Sequence, residues 1–240
     1  MHLLAVSPHL DDAVFSAGGA LWEHAQAGDQ VTVLTCFTGN VADPQGFALA
    51  CQLDKGLPPE VDYMALRRAE DESACAAISA KAVHLPLLEA PHRGYESPAA
   101  LFGERLASDG VLPDLISALE RARADLAPNG IYAPYGVGNH VDHLIVREAV
   151  EAVFAALPIT WWEDYPYAMR EAAPPPEITR RPLSPQAAQR KLAATLAYES
   201  QLGFQFGGAV EAAEALAGWR VEGFSKAKAT APGKSTPQLP

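Results

Sequence analysis

The sequence predicts an α/β protein: an open, mainly parallel sheet with helices on both faces, folded as a single domain. Three observations predict it. Short aliphatic segments of strand length alternate with longer segments that carry an apolar stripe at helical spacing. The 240 residues, 49% of them apolar, suit one sizeable core. Gly, Pro and Asn break the segments at irregular intervals, so no internal repeat competes with this reading.

Taken in order, residues 3–6 are aliphatic and stop at Ser7-Pro8, which reads as a buried strand. Residues 11–26 place Ala13, Val14, Ala17, Leu21 and Ala25 on one helical stripe, closed by Gly28. Residues 31–37 carry the β-branched Val31, Thr32, Val33 and Thr35 and end at Gly39-Asn40, a second strand. Residues 40–62 read as a long loop, a length that is uncommon without structure of its own and often functional. A helix over 63–78, a strand near 82–87, a helix over 115–126, a strand over 131–134 and a helix over 141–157 continue the alternation. Residues 160–165 read as strand. A Pro-rich break at 174–176 precedes a long helix over 185–204 and a shorter one over 209–219. Residues 1–225 form the domain, and 226–240 read as a disordered tail, rich in Lys, Ala, Thr, Pro and Gly with no apolar period.

The formal net charge of −11 argues against a grip on nucleic acid or anionic lipid, both of which need a basic face. It is compatible with a neutral or cationic small-molecule substrate, and with a homo-oligomer. Cys36, Cys51 and Cys75 are an odd set without CxxC spacing, which reads as reduced thiols in a cytoplasmic protein. His9, Asp11 and Asp12 interrupt the first apolar stretch too early for a signal peptide. No apolar run reaches the ~18 residues of a transmembrane segment.

In a sheet of this kind ligands bind beyond the carboxyl ends of the strands, so chemistry should sit just after strands. Two clusters do. The first, Ser7-Pro8-His9-Leu10-Asp11-Asp12, joins strand to helix where a dinucleotide fold would carry a Gly-rich phosphate turn. Its two carboxylates would repel a phosphate. His9 and Asp12, three apart across the turn, offer nitrogen and oxygen donors that suit Zn²⁺ or a similar divalent ion. Asp11 lies between them, available as a base. Helix capping is the competing account of both acids.

The second cluster, Gly138-Asn139-His140-Val141-Asp142-His143, follows the strand at 131–134 and opens another helix. His140 and His143 share one helical face. Three of the seven histidines thus fall in two short loops at one end of the sheet. A catalytic zinc has three protein ligands and an open position. His9, Asp12 and one of the two downstream histidines supply that number.

These residues resemble a known family. Ser7 to Ala13 is similar to the PHPDD(E) signature of the PIG-L/LmbE-like deacetylases, and Gly138 to His143 to their HxDH block. The resemblance extends to Leu66-Arg67-Arg68-Ala69-Glu70, to the loop 87–93, and to Lys191 through Tyr198, Ser200 and Gln201. It implies a Rossmann-like fold and removal of an N-acyl, usually N-acetyl, group from an amino-sugar conjugate with a divalent metal, typically zinc. It further implies His9, Asp12 and His143 as metal ligands and Asp11 as general base. His140 becomes the acid or electrostatic partner, held by Asp142, and Arg67 falls where the family contacts substrate. Leu10 stands for the usual Pro, Ala13 for the usual Glu, and Gly138 for a Tyr that in some relatives assists the oxyanion.

Glu89, His92 and Arg93 follow the third strand and are placed to reach sugar hydroxyls. The aromatic run Trp161-Trp162-Glu163-Asp164-Tyr165-Pro166-Tyr167 offers rings for stacking on a sugar, with a packed aromatic strand as the plainer account. Two rivals remain. A phosphoacceptor receiver domain lacks an Asp after the third strand here. A non-catalytic metal- or carbohydrate-binding protein would have no use for Asp11.

Overall fold

The structure is a computed structural model that describes residues 1–171 and 173–227. Its strands are β1 (His2–Ser7), β2 (Gln30–Thr35), β3 (Lys81–His84), β4 (Gly130–Pro134), β5 (Ile159–Trp162), β6 (Thr179–Pro182) and β7 (Val221–Ala227). The helices are α1 (Asp12–Gln26), α2 (Gly46–Leu53), α3 (Tyr63–Ala77), α4 (Pro98–Leu101), α5 (Val111–Leu126), α6 (Val141–Phe154), α7 (Pro185–Thr195), α8 (Glu199–Phe206) and α9 (Ala209–Gly218).

The strands form one sheet in the order β3-β2-β1-β4-β5-β7-β6. The first five run parallel, and β7 pairs antiparallel with both β5 and β6. β1 lies centrally, and its residues 3–6 are at most 4% exposed. That burial on both faces explains why it reads as an unbroken apolar run. Side chains alternate across the sheet. Leu4, Val6, Leu34 and Ile131 pack on one face with Leu115 and Leu119 of α5 and Val150 and Phe154 of α6. Ala5, Val31 and Val33 pack on the other with Phe15, Ala74 and Ala194 of α1, α3 and α7. Helices therefore cover both faces of a single α/β domain, as the sequence predicts.

From β1 the chain steps outward to β2 and β3, then returns to lay β4 against the other side of β1. The strand order reverses between β1 and β4, and the crevice beyond their carboxyl ends is the expected ligand position. β1 ends at Ser7 and β4 at Pro134, so both histidine segments leave the sheet into that crevice.

Several elements differ from the sequence-based reading. The loop 40–62 contains α2. The helix expected over 185–204 is broken into α7 and α8 around Tyr198, with neither Gly nor Pro at the break. The break is tertiary: Tyr198 is fully buried, its hydroxyl donates to Asp71 Oδ1 (2.7 Å), and Ser200 N and Oγ donate to Glu70 (2.8 and 2.7 Å). β6 escapes hydropathy reading because an edge strand needs no apolar face, and its Arg and Pro residues suit an edge. Lys226 and Ala227, expected in the tail, pair with Thr160 and Ile159 as the end of β7. The remainder of that expected tail, 228–240, lies outside the described residues.

β7 also braces α1. Glu222 Oε1 accepts from Lys191 Nζ and from Gly19 N, and Oε2 accepts from Ala20 N, each at 2.9 Å. Both charged side chains are at most 2% exposed. Such a pair holds a geometry more than it adds net stability, because its desolvation offsets much of the attraction.

Candidate metal centre and active site

The turn after β1 frees both acids from capping. Ser7 Oγ accepts from Ala13 N (3.1 Å) and donates to His9 O (2.8 Å). Asp11 occupies the N-cap position of α1, yet its carboxylate makes no capping bond, and its φ of 152° is a strained value for a non-glycine residue. Asn139, in the second histidine segment, has φ 61°. A value like that of Asp11 persists where the surrounding structure over-determines it, whereas asparagine adopts the left-handed region at little cost.

The two segments converge on one oxygen. Asp12 Oδ2 lies 3.1 Å from His9 Nδ1 and 3.3 Å from His143 Nε2, and it accepts from His9 N (2.9 Å). Ligating atoms of His9, Asp12 and His143 all lie within 4.8 Å of one another. Each histidine has its far nitrogen held by a carboxylate: His9 Nε2 by Asp142 Oδ2 (2.9 Å), and His143 Nδ1 by Asp164 Oδ1 (2.8 Å). Metal-bound histidines are oriented by outer partners of this type. His143 Nε2 is buried and makes no hydrogen bond, although Asp12 is near. An orphaned imidazole nitrogen beside a second imidazole and a carboxylate fits a divalent ion.

A second grouping of His9, His140 and Asp142 also lies within the same spread. Its carboxylate, however, is already engaged: Asp142 accepts from His9, from Arg93 Nη2 (2.7 Å) and from Ala90 N (3.0 Å). His140 Nδ1 accepts from Asp142 N (3.2 Å), which turns that nitrogen away from an ion. The first grouping is the better donor set.

The electrostatics follow from this packing. Burial opposes charge on His9 and His143, but the flanking acids outweigh it, raising His9 well above the usual range and His143 to about 9. Against the same burial, His143 and His9 hold Asp12 well below the usual carboxylate range. Asp11 behaves oppositely. Burial, and then the neighbouring Asp12 charge, push its carboxyl up to about 7, while Arg67 and His9 pull it down less strongly. Adjacent acids with diverging proton affinities are a mark of divided acid–base roles. Burial and the His9 charge push His140 down to about 3, so it is neutral and carries its proton on Nε2.

The structure brings six of the expected site residues together: His9, Asp11, Asp12, His140, Asp142 and His143. The partner of Asp142 differs from expectation. Its carboxylate faces His9 and Arg93, and His140 meets only its backbone N–H. The two arginines expected to contact substrate are also engaged by protein groups. Arg93 gives Nε and Nη2 to Asp109 (3.1 and 3.0 Å), Nη2 also to Asp142, and Nη1 to Leu88 O (2.6 Å). Arg67 is 4% exposed, pairs through Nη1 with Glu89, donates through Nη2 to Leu10 O (3.2 Å) and lies 3.6 Å from Asp11 Oδ2. Both guanidinium groups brace acids of the site. Beside Glu89 a recess opens, lined in part by Asn40, Lys55, Tyr63 and His92, so the 40–62 segment walls one side of it.

Asp164 is inconspicuous in the sequence because the aromatic run 160–165 reads as strand. β5 in fact ends at Trp162, which puts Asp164 just past a strand end like the other site acids. Its Oδ2 accepts from Gly136 N (2.7 Å) and Val137 N (2.8 Å) while Oδ1 holds His143. Asp164→Asn is expected to weaken zinc affinity about 10–100-fold and to lower the melting temperature, because one amide oxygen cannot serve the His143 donor and the two backbone donors at once. Competition against a chelator of known affinity measures it; unchanged affinity shows that His143 does not need this support.

Residues 4–154 match the PIG-L family, described as GlcNAc-PI de-N-acetylase. The chain belongs to the PIG-L family. It is 35% identical over 182 residues to 2'-N-acetylparomamine deacetylase of Streptomyces fradiae, covering 74% of this chain and 62% of that protein. It is 30% identical over 164 residues to 1D-myo-inositol 2-acetamido-2-deoxy-alpha-D-glucopyranoside deacetylase of Rhodococcus erythropolis (strain PR4 / NBRC 100887), covering 64% and 54%. The chain thus spans less than two thirds of the length of either relative. Among solved structures, a deacetylase of the teicoplanin biosynthesis pathway in complex with bog superposes with a TM-score of 0.84 at 25% identity, over 97% of this chain and 100% of that one. The PIG-L match contains both histidine segments, whereas Asp164 lies beyond it. No helix among the described residues is long and apolar enough to cross a membrane.

Proposed function

We propose that this PIG-L chain is a divalent-metal-dependent hydrolase, zinc-type, that removes an N-acetyl group from a small amino-sugar conjugate. The observation that carries the reading is the convergence of His9 and His143 on Asp12, each histidine braced from behind by its own carboxylate, with an uncapped Asp11 alongside. Two imidazoles and one carboxylate are a donor set that zinc favours, with a position left for water or substrate. The relatives named as deacetylases of acetylated amino sugars support the substrate class. The net charge of −11 suits a polar or cationic amino sugar. Free thiols at all three cysteines accord with a cytoplasmic setting.

In this reading His9, Asp12 and His143 hold the ion. When bound it supplies Lewis-acid polarisation of the amide carbonyl and lowers the pKa of water from 15.7 to about 7. Asp11 takes the proton of the attacking water, with Arg67 and Glu89 fixing its surroundings. His140 presents Nε2–H, a neutral donor, to the carbonyl oxygen as charge develops there. Asp142 and Arg93 position His9. The amine leaves with the proton that Asp11 received, so water adds across the C–N bond to give acetate and the free amino sugar.

Stripped protein should take up one zinc ion per chain and then release acetate from at least one member of a panel of N-acetylated amino sugars. The panel should include 2'-N-acetylparomamine and an N-acetylglucosaminyl inositol. One bound ion with no acetate released from any member favours a binding protein instead. No metal uptake overturns the reading.

A further inference from the structure

We propose that Tyr167 is a further catalytic residue of this site: its phenol donates a hydrogen bond to the substrate oxygen that becomes an oxyanion. The proposal rests on the N-deacetylase reading and adds to it a residue from outside both histidine segments and outside the matched 4–154 span.

Tyr167 opens a short 3-10 turn, Tyr167–Arg170, that follows β5 and Asp164. Its ring stands edge-on to His143, with centroids 5.5 Å apart, and edge-on to Phe102 at 5.8 Å. Phe102 in turn stands edge-on to His140 at 5.3 Å. Tyr167, Phe102 and His140 therefore wall one side of the His9–Asp12–His143 donor set. The Tyr167 side chain is half-buried and lies near enough to feel the charges of Asp12 and Asp11, yet its hydroxyl has no hydrogen-bond partner among the described residues.

Most donors of this site are paired. The guanidinium groups of Arg67 and Arg93 are engaged by carboxylates and carbonyls, and both nitrogens of His9 face carboxylates. Leaving aside His143 Nε2, read as a metal ligand, the donors around the metal set without a protein acceptor among the described residues are Arg67 Nε, His140 Nε2–H and Tyr167 O–H. A phenol, with an ordinary pKa near 10, keeps its proton at neutral pH and offers it without bringing a charge into the site.

Gly138 makes the approach of Tyr167 possible. Its φ is +87°, and a Cβ placed there would sit 3.0 Å from Cβ and Cγ of Tyr167 and 3.2 Å from Cδ1. Tyr167 thus fills the space that a side chain at 138 would take, two residues before His140.

No proton is transferred and no bond to Tyr167 forms. As water adds to the amide carbon, the carbonyl oxygen gains negative charge and the hydrogen bond tightens. It relaxes when the C–N bond breaks and the carbonyl re-forms. Donors placed in this way typically contribute a factor of about 10²–10³ to kcat.

The test compares wild type with Tyr167→Phe, both zinc-loaded, on whichever panel substrate the wild type hydrolyses. The variant keeps the ring against Gly138 and His143 and loses only the hydroxyl. The expected result is a kcat lower by about 10²–10³-fold, with KM and zinc content close to wild type. Methylphosphonate, whose tetrahedral oxyanion copies the addition intermediate, should bind the variant at least ~10-fold more weakly by calorimetry, since a lost charge-assisted hydrogen bond is worth about 1.5–3 kcal/mol. A Tyr167→Phe enzyme with wild-type kcat overturns the proposal and leaves Tyr167 a packing residue. If the wild type releases acetate from no panel member, the deacetylase reading fails, and the phosphonate comparison alone decides the donor. Equal affinity in the two proteins, or none in the wild type, then overturns it.

Discussion

Asp11→Asn is expected to bind one zinc ion with wild-type affinity and to hydrolyse substrate about 10²–10⁴-fold more slowly, the usual contribution of a general base. The separation of effects follows from position. Asp11 is outside the His9–Asp12–His143 set, and its carboxylate faces Arg67 Nη2 at 3.6 Å. Asparagine keeps the shape and removes the proton acceptor. Arg67 keeps its bonds to Glu89 and to Leu10 O, so the fold around the turn persists. The fall should appear in kcat with KM nearly unchanged, because the missing step is proton removal and not binding. Metal content from elemental analysis and initial rates of acetate release check both halves. A fall of less than about tenfold with full metal content shows that another group takes the proton.

His143→Ala should act through the ion. It removes one of three ligands and leaves Asp164 with only Gly136 N and Val137 N as donors. Zinc affinity should fall by more than the ~10–100-fold expected for losing an outer partner, and acetate release should vanish with it. The position is fully buried, so melting temperature is followed in parallel, and His143→Asn provides a less truncated comparison. The informative experiment is a double-mutant cycle with Asp164→Asn. Asp164 touches the centre through His143 Nδ1, so its effect should disappear once His143 is gone. Additive losses in the double variant show that Asp164 supports the site by another route.

The legibility of the fold varied with the source of each signal. β1 reads directly because a central parallel strand is apolar on both faces, and α1 because its stripe repeats at helical spacing. The break between α7 and α8 has no local mark, since distant Asp71 and Glu70 create it by binding Tyr198 and Ser200. β6 and the end of β7 are set by pairing partners far along the chain, and their own sequence is charged or mixed. Among site residues, His9, Asp11, Asp12, His140 and His143 stand out because they cluster in two short segments just after strands. Asp164 and Tyr167 hide in an aromatic run whose strand ends earlier than its hydropathy suggests.

The sequence by itself determined the alternating architecture, the end of the sheet where chemistry belongs, and a nitrogen-and-oxygen donor set suited to a divalent ion. These depend on residue type and short spacing, which every stretch of chain carries within itself. Only the tertiary structure decided which carboxylate braces which histidine, that Arg67 and Arg93 are engaged by acids of the protein, and that Tyr167 stands over Gly138. Those facts depend on distances between segments remote in sequence, because hydrogen bonds and steric contacts act over a few ångströms and local spacing cannot encode them.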